Sequence, residues 1–435
     1  MKQFHWILLF VCVIALIPRV FSVQWNVLPH GDITGDAEAA ASFYKEQRLI
    51  VPSRITEPPY FLLPGIQSNV LIAHPPIWAF LGAGILGALR LEPTVDGAYF
   101  ALRILSLISG LGVVVLSAML GRKLFGSAGG ILIAFWIAIS YLMIDFSGNG
   151  ALYSLQAVAY LTWLLVAYSS VQHKPVWFGV VSGLGYLVNQ QSMILAAGSA
   201  LLLLLSSKHS LKERVRDLCI VTAVTFAVTF PWLLRNYLLF GDLFYSHAIN
   251  ATYVYVKAGI GHIDAGYRSY YDIGLAERIT ILHSIFTIWI PNNVYYIARK
   301  LFVMAPVVFF FFSFAWIDYA FDSKRRTKML PVIIICVLHI LIAAAWPITK
   351  FRYFVPLFPL VLYIGFDQIF AVSQSPRVRH SIIAVTTVCL ITVSVLTYYA
   401  IPTHTYYYDG AITQDPFHAR GEYNFMVDSG LIIED

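Results

Sequence analysis

Charged residues are scarce in this chain. Asp, Glu, Lys and Arg together make up 12% of its 435 residues, whereas hydrophobic residues make up 59%. A soluble globular protein carries about 25% charged residues, so the composition excludes an ordinary soluble domain and predicts a polytopic membrane protein. The net charge of +6 does not indicate nucleic-acid binding, because the basic residues stand in short clusters between apolar runs, as the positive-inside rule describes.

Cysteine and metal-ligand motifs are scarce as well. The four cysteines, Cys12, Cys219, Cys336 and Cys389, all fall inside apolar runs, where core or lipid-facing thiols are expected rather than disulfides. The turn at 145–153 has no Asp-x-Asp pair, and no histidines cluster with ligand spacing. The sequence therefore predicts neither a metal site nor a bound cofactor.

Apolar runs of about 20 residues, long enough to cross a bilayer, recur along the chain. We predict an all-α fold with about eleven transmembrane helices. They lie near 7–24, 99–121, 127–144, 152–171, 176–190, 192–207, 217–235, 300–318, 330–347, 354–371 and 381–400. The first run is interpreted as a membrane helix rather than a signal peptide, because it is long and no small-residue cleavage site precedes Gln24.

Basic clusters between these runs predict the orientation. Placing them in the cytoplasm with Lys2 puts the N-terminus inside and the C-terminus outside. These clusters are Arg122-Lys123, His173-Lys174, Lys208 to Arg216, Lys324 to Lys328, and Arg377 with Arg379. The segment 74–90 is also apolar, but a crossing there would invert the pattern. We therefore interpret it as an interfacial or re-entrant helix starting at Pro75-Pro76.

This topology predicts a membrane domain over 1–400 and a short outer tail over 401–435. The outer face then carries the long loops, 25–98 and 237–299, while the inner face carries short basic connections. The 237–299 loop, rich in tyrosine and histidine, is expected to form part of an acceptor site or a lid. The functional site is therefore expected on the outer face of the membrane.

Three carboxylates stand in seven residues of the first outer loop, at Asp32, Asp36 and Glu38. Asp36 is expected to open an amphipathic helix reaching Arg48, with its carboxylate held ionised by the amides of the helix N-terminus. Such a carboxylate can act as a general base on a hydroxyl. The alternative is a solvated loop with a helix cap.

Arginines stand at the outer ends of two membrane runs, Arg235 before Asn236 and Arg352 before Tyr353, and Arg103 starts a third. A charge at such a position is costly without a partner, and a guanidinium matches the oxygens of a phosphate. These residues are candidates for binding a lipid-linked phosphate. The alternative is snorkelling of the side chains toward the headgroups.

Two further residues of the outer face are candidates for supporting roles. His74 precedes the interfacial helix and could contact a phosphate or order the acidic loop. Asp145, in the turn at 145–153, could be the ion-pair partner of an arginine.

Taken together, these residues resemble the GT-C superfamily of polyprenyl-phosphate-sugar-dependent glycosyltransferases, which includes protein O-mannosyltransferases and lipid A aminoarabinose transferases. The resemblance covers about 20–360. It rests on Gly35-Asp36-Ala-Glu38, His74-Pro75-Pro76, Ala101-Leu-Arg103, Gly121 to Gly126, Gly179 to Gly183, Pro231 to Tyr237 with Phe240-Gly241, and Arg352-Tyr353-Phe-Val-Pro356.

The resemblance implies that Asp36 is catalytic and that Arg235 and Arg352 bind the donor phosphate, and Arg103 is a further candidate on the same face. The sequence departs from the family pattern at Ala40, where a tyrosine is usual, so Asp32 competes for the catalytic role. The metal-binding carboxylate loop of oligosaccharyltransferases is also missing, which argues against a metal-dependent mechanism.

The function predicted from the sequence is an inverting transfer of sugar from a polyprenyl-phosphate donor to a protein, lipid or glycan acceptor on the outer face. The partners are the lipid-linked sugar, the acceptor and membrane lipids, with a bacterial plasma membrane favoured. A transporter or flippase of a lipid-linked or anionic substrate is one alternative, although no internal repeat supports it. A lipid-linked glycan ligase or polymerase is another.

Overall fold

The computed structural model of the chain describes residues 2–25, 31–51, 74–205, 210–246, 249, 273–346, 351–373, 375–400, 406–408 and 411–413. The fold is all-α, with one short antiparallel hairpin of β1 (Tyr406–Tyr408) and β2 (Ala411–Thr413). Much of the predicted first outer loop, of the 237–299 loop and of the tail lies outside the described residues, so their predicted roles remain predictions.

The helices follow one another in a long bundle. They are α1 (Lys2–Trp25), α2 (Gly31–Glu46), α3 (Ile77–Leu89), α4 (Val95–Ile139), α5 (Tyr141–Asp145), α6 (Tyr153–Tyr168), α7 (Lys174–Val188), a 3-10 turn (Gln190–Met193), α8 (Ile194–Leu204), α9 (Leu211–Phe240), α10 (Leu275–Ser284), a π-helical turn (Ile285–Trp289), α11 (Ile290–Met304), α12 (Pro306–Phe321), α13 (Ser323–Ala345), a 3-10 turn (Phe351–Tyr353), α14 (Phe354–Val372) and α15 (Pro376–Ala400).

Six of the described helices, α1, α4, α9, α13, α14 and α15, are long and apolar enough to cross a bilayer. Shorter apolar helices, including α3, α6 and α12, accompany them. The chain is thus a multi-pass membrane protein, as its composition predicts. The number of crossings, about eleven, remains a prediction.

Helix α4 reverses direction at Gly126, whose backbone has φ 80° and ψ 178°, a region that almost only glycine occupies. A Cβ atom on Gly121 would lie 2.9 Å from the Cα atom of Gly130, so the two halves pack backbone to backbone. The reversal coincides with the predicted break between 99–121 and 127–144.

A second close approach joins α7 to α9. Cβ atoms on Gly179 and Gly183 would lie 2.6 Å from Val224 Cβ and 2.7 Å from Val228 Cβ. The absence of a side chain at these two positions lets the helices approach closely, as small residues do in membrane bundles. This seam holds α9, the helix whose last turns carry Arg235.

Two predicted boundaries are wrong, whereas α9 contains its predicted span 217–235 and extends from Leu211 to Phe240. Helix α2 begins at Gly31 rather than at Asp36. The predicted span 300–318 is broken between Ala305 and Pro306, since proline lacks a backbone donor and starts the new helix α12.

The bundle has two ends, which we name by their charged residues. Arg352 lies in the turn just before α14, and Asp367 lies near the other end of the same helix, about 20 Å away at the rise of an α-helix. The end of the bundle with Arg352 and Asp36 is the Asp36 end. The end with Asp367 and Arg325 is the Arg325 end.

Candidate active site

The centre of the Asp36 end is a pair formed by Asp36 and His74. The Nδ1 atom of His74 lies 2.9 Å from Oδ2 and 3.0 Å from Oδ1 of Asp36, and Asp36 is 2% exposed. A buried carboxylate is costly without a hydrogen-bond donor, and the imidazole supplies one. His74 thus contacts the acidic segment, and its two predicted roles, in ordering that segment and in contacting a phosphate, remain predictions.

The predicted cap role of Asp36 is wrong. The helix begins five residues earlier, so Asp36 lies in the second turn of α2, where backbone amides bond within the helix. Its carboxylate contacts a side chain brought by α3 instead. Asp32 lies in the first turn of α2, and its side chain is outside the described part of the structure. Asp32 therefore stays an alternative to Asp36 for the catalytic role.

Helix α2 packs closely on α3 at Ala40, the position at which the sequence resemblance departs from its expected tyrosine. A Cβ atom on Gly82 of α3 would lie 3.3 Å from Ala40 Cβ, and one on Gly87 would lie 3.0 Å from the ring of Tyr44. The helices are close at Ala40, which is fully buried, and the aromatic ring one turn later fills the wider gap. This close packing brings His74, three residues before α3, to Asp36.

The turn at 145–153 lies beside this pair. Trp78 donates from Nε1 to the Gly150 carbonyl at 3.1 Å. Gly150 has φ +84°, and a Cβ atom there would lie 3.0 Å from the Tyr99 ring and 3.4 Å from Ile33 of α2. Asp145 is buried, and its backbone carbonyl accepts from Ser22 Oγ at 3.3 Å. Its predicted ion pair with an arginine remains a prediction, as does a role for the buried Glu38.

Arg103 fastens α4 to the end of α1. It donates from Nη1 to the Val23 carbonyl at 2.6 Å, and its guanidinium lies over the rings of Tyr99 at 4.7 Å and Phe100 at 5.3 Å. The carbonyl belongs to the last turn of α1, where helices leave acceptors that no helix amide reaches. Arg103 therefore has a structural role at the Asp36 end, and its predicted phosphate contact is untested.

Arg352 reaches the same turn from the other side. It is buried, and its guanidinium lies 5.9 Å from the ring of Tyr153 and 5.5 Å from that of Tyr353. The two tyrosine rings meet edge to face at 6.1 Å. The structure thus places Arg352 against the turn that also contacts α2 and Trp78.

Arg235 joins the Asp36 end through α9. Its guanidinium lies 4.3 Å from the Trp232 ring and donates from Nη1 to Asn236 Oδ1 at 3.3 Å. Trp232 packs in a small buried cluster with Tyr186, against which Leu49 also packs. Since Leu49 follows α2 along the chain, this cluster ties the arginine-bearing helix to the Asp36 segment.

Two buried polar features were missed by the sequence analysis. Arg19 of α1 is fully buried and donates to the carbonyls of Ala15 and Ala138, both at 2.9 Å, and to Ser147 Oγ at 3.2 Å. Its position inside an apolar run was the available signal, because a charge there needs partners. The second feature is a series of hydrogen-bonded neutral side chains that includes His339, which stands alone within an apolar run.

The Arg325 end holds a charged cluster that the sequence analysis also missed. Arg325 donates from Nη2 to Asp367 Oδ2 at 2.8 Å and from Nη1 to Asp318 Oδ2 at 3.1 Å. Lys328 Nζ lies 3.4 Å from Asp367 Oδ1, and Tyr319 donates to Asp367 at 3.2 Å. The cluster joins α12, α13 and α14.

Within the described residues, no group of three or more His, Cys, Asp or Glu side chains is placed to hold a metal ion. The predicted absence of a metal or cofactor therefore stays a prediction for the whole chain.

Solved structures of an archaeal oligosaccharyltransferase and of ArnT share the fold of this chain, in agreement with the GT-C-like fold that the sequence resemblance implied. The oligosaccharyltransferase of Archaeoglobus fulgidus in its apo form aligns with a TM-score of 0.59 and 16% identity over 90% of this chain and 55% of that chain. The same archaeal enzyme, AglB, in complex with an inhibitory peptide and a dolichol-phosphate aligns with a TM-score of 0.58 and 15% identity over 92% of this chain and 55% of that chain.

ArnT from Cupriavidus metallidurans, bound to undecaprenyl phosphate, aligns with a TM-score of 0.55 and 14% identity over 92% of this chain and 64% of that chain. The chain thus spans between about half and two thirds of the length of these solved relatives. No family model matches the sequence, and no curated protein matches it. These likenesses show a common fold.

Proposed function

We propose that the protein transfers a sugar from a polyprenyl-phosphate donor to an acceptor hydroxyl at the Asp36 end. The observation that carries the proposal is the buried pair of Asp36 and His74, with carboxylate-to-imidazole distances of 2.9 and 3.0 Å. A histidine that donates to a carboxylate fixes its direction, which is what a general base requires. The shared fold and the polyprenyl-phosphate lipids bound by two of the solved relatives add support.

The proposed reaction is a single displacement. Asp36 takes the proton of the acceptor hydroxyl as the oxygen bonds to the anomeric carbon. The bond from that carbon to the phosphate oxygen breaks, and its electron pair leaves with the phosphate. The configuration at the anomeric carbon is inverted, and polyprenyl phosphate is the second product.

The arginines of the Asp36 end are proposed to stabilise the leaving phosphate. Arg352 and Arg235 are joined to the Asp36 segment by the turn at 145–153 and by the Trp232 cluster, respectively. Guanidinium donors aimed at a developing phosphate charge contribute strongly in a water-poor site. Arg103 is proposed as a third contributor, beside its bond to the end of α1.

We propose that the site lies on the outer face of a bacterial plasma membrane, as the charge pattern predicts. The accessibility of introduced cysteines tests this orientation directly. A single cysteine introduced at Gly241, which follows α9, should react with an impermeant maleimide in intact cells. One introduced at Gly126, in the reversal of α4, should react only after permeabilisation, and the opposite result would overturn the orientation.

The proposed activity is tested by mass spectrometry of lipid-linked sugars in cells with and without the protein. Cells that lack it, or that carry Asp36→Asn, should accumulate one polyprenyl-phosphate sugar and lose the matching sugar from a surface glycan. Unchanged lipid-linked and surface sugars in the deletion strain would overturn the proposal. The accumulating species would name the donor.

A further inference from the structure

A chain of buried neutral side chains runs through the bundle toward Arg352. Asn189 donates from Nδ2 to Gln156 Oε1 at 3.1 Å, and Gln156 donates from Nε2 to the Tyr160 hydroxyl at 3.2 Å. The Tyr160 hydroxyl lies 3.0 Å from His339 Nδ1, and His339 Nε2 lies 2.7 Å from the Tyr353 carbonyl. Gln156, Tyr160 and His339 have no solvent exposure.

The donor and acceptor of each hydrogen bond in this series follow from its last acceptor, the Tyr353 carbonyl. A carbonyl only accepts, so Nε2 of His339 carries the proton and donates to Tyr353. Its Nδ1 atom then accepts, so the Tyr160 hydroxyl donates to His339 and its oxygen accepts from Gln156. All the bonds point the same way, and neutral groups polarise one another along such a row.

The opposite end of this series of hydrogen bonds, at Asn189, leads to Arg235. Asn189 precedes the 3-10 turn, whose Gln190 accepts from the Ser246 hydroxyl. The neighbouring Tyr245 carbonyl accepts from Asn236 Nδ2 at 3.3 Å, and Asn236 Oδ1 accepts from Arg235. The polar contacts, joined by the peptide links 189–190 and 245–246, therefore form one route from the Arg235 side chain, through α6 and α13, to the carbonyl of Tyr353, the residue after Arg352.

We propose that this chain is a positioning element that sets Arg352 relative to Arg235, so that both guanidinium groups reach one lipid-linked phosphate. The inference rests on the proposed function, since it assumes that both arginines bind the donor. Apolar packing alone tolerates small displacements of one helix along another. A buried polar group, in contrast, loses its hydrogen-bond partner when its helix is displaced, which costs free energy. Tyr160 and His339 are then positioning residues, which act on the phosphate through Arg352.

The test is a double-mutant cycle on binding of undecaprenyl phosphate, a probe that needs no sugar and no transfer step. Tyr160→Phe removes one hydroxyl and should weaken binding by roughly 3- to 30-fold. In an Arg352→Ala background the same substitution should have no further effect. Because Arg352 is also proposed to stabilise the leaving phosphate, the transfer rate at saturating donor should fall as well, and this fall should likewise be absent in the Arg352→Ala background.

A matched control separates positioning from general stability. Ser199 accepts from Trp163 Nε1 at 2.9 Å, is fully buried and lies off the route, so Ser199→Ala should leave binding unchanged. His339→Gln keeps one donor and one acceptor and should retain more binding than His339→Leu.

Two outcomes would overturn the inference: equal effects of Tyr160→Phe with and without Arg352, or an equal loss in Ser199→Ala. Such a result leaves the proposed function standing if wild-type protein transfers sugar and Asp36→Asn does not. Conversely, full transfer by Asp36→Asn would remove the proposed base, while coupling between Tyr160 and Arg352 would still support the positioning chain.

Discussion

Arg325, at one end of the bundle, is held by contacts of a different kind from those described for the three arginines of the Asp36 end. At the Arg325 end, Arg325 contacts the carboxylates of Asp367 and Asp318, and Lys328 contacts Asp367 as well. At the Asp36 end, contacts of Arg103, Arg235 and Arg352 include aromatic rings, a carbonyl and an amide oxygen. A carboxylate neutralises a guanidinium and fastens helices together, whereas an aromatic ring or an uncharged oxygen orients a guanidinium without neutralising it. Under the proposed function the Asp36 end binds the donor phosphate, whereas the contacts of Arg325 join α12, α13 and α14.

Asp36→Asn should break the function of the Asp36 end most severely. We expect a loss of about 10²- to 10⁴-fold in sugar transfer, the usual contribution of general-base catalysis. The amide can still bond to His74, so folding and binding of undecaprenyl phosphate should persist. Transfer of label from the donor to the acceptor, measured with purified protein, gives the rate.

Two matched variants complete that experiment. Asp217 is a buried aspartate paired with Arg216 at 2.9 Å near the start of α9, and Asp217→Asn should keep its transfer activity. Asp32→Asn should also stay active if Asp36 is the base. A large loss in Asp32→Asn with an active Asp36→Asn would transfer the catalytic role to Asp32.

Asp367→Ala should damage the Arg325 end without touching the chemistry. Removing this buried carboxylate takes a contact from Lys328 and leaves Arg325 its contact with Asp318. Because the cations are partly exposed, the cost should be about 2 kcal/mol in the free energy of unfolding, less than for a fully buried pair. Denaturant titration in detergent, followed by tryptophan fluorescence, measures the loss. Activity per folded molecule should be unchanged, and a loss below about 1 kcal/mol would show that the cluster does not stabilise the bundle.

Arg352→Ala should weaken binding of undecaprenyl phosphate by roughly 10- to 100-fold, the range for a lost hydrogen bond to a charged group. Arg352→Lys should fall between, because lysine keeps the charge and loses the planar set of donors. Calorimetric titration of the lipid gives both values.

Arg379 is the control for Arg352. It also contacts an aromatic ring, that of Phe370, and uncharged oxygens, those of Ser373, but it lies at the Arg325 end. Equal losses in Arg379→Ala and Arg352→Ala would remove the distinction between the two ends.

Gly126→Ala should have the smallest effect. No heavy atom lies within 4 Å of an added Cβ, but the backbone has φ +80°, so the cost is conformational and should be about 1–2 kcal/mol of stability. Gly84→Ala adds the same atom to open space within the helix α3 and should not destabilise the protein. Thermal unfolding in detergent compares the two variants. A transfer defect in Gly126→Ala would show that the Arg325 end influences the site.

Much of the fold could be predicted because hydropathy and helix breakers are local signals. The apolar runs predicted a multi-pass membrane protein, and the break near Gly126 separated two predicted spans correctly. The start of α2 was predicted wrongly, since Gly31 and Gly35 are poor helix formers, yet both belong to the helix.

Individual residues of the site could be predicted from the sequence, but the contacts between them could not. Asp36 and His74 were both candidates, but 38 residues separate them and no sequence rule gives their contact of 2.9 Å. The route through Tyr160 and His339 was missed because a single polar residue in an apolar run has no local signature. Its partners come from helices far apart in the chain, at a separation of 179 residues for this pair.

The glycine seam between α7 and α9 restricts how this sequence can diverge. Any carbon added at Gly179 or Gly183 meets Val224 or Val228 at less than 3 Å, so the helices would have to separate and shift the end of α9. We therefore expect homologues to retain small residues at both positions even where lipid-facing side chains have changed entirely. Under the proposed function, differences in acceptor would then arise in the loops, while the helix that carries Arg235 would change little.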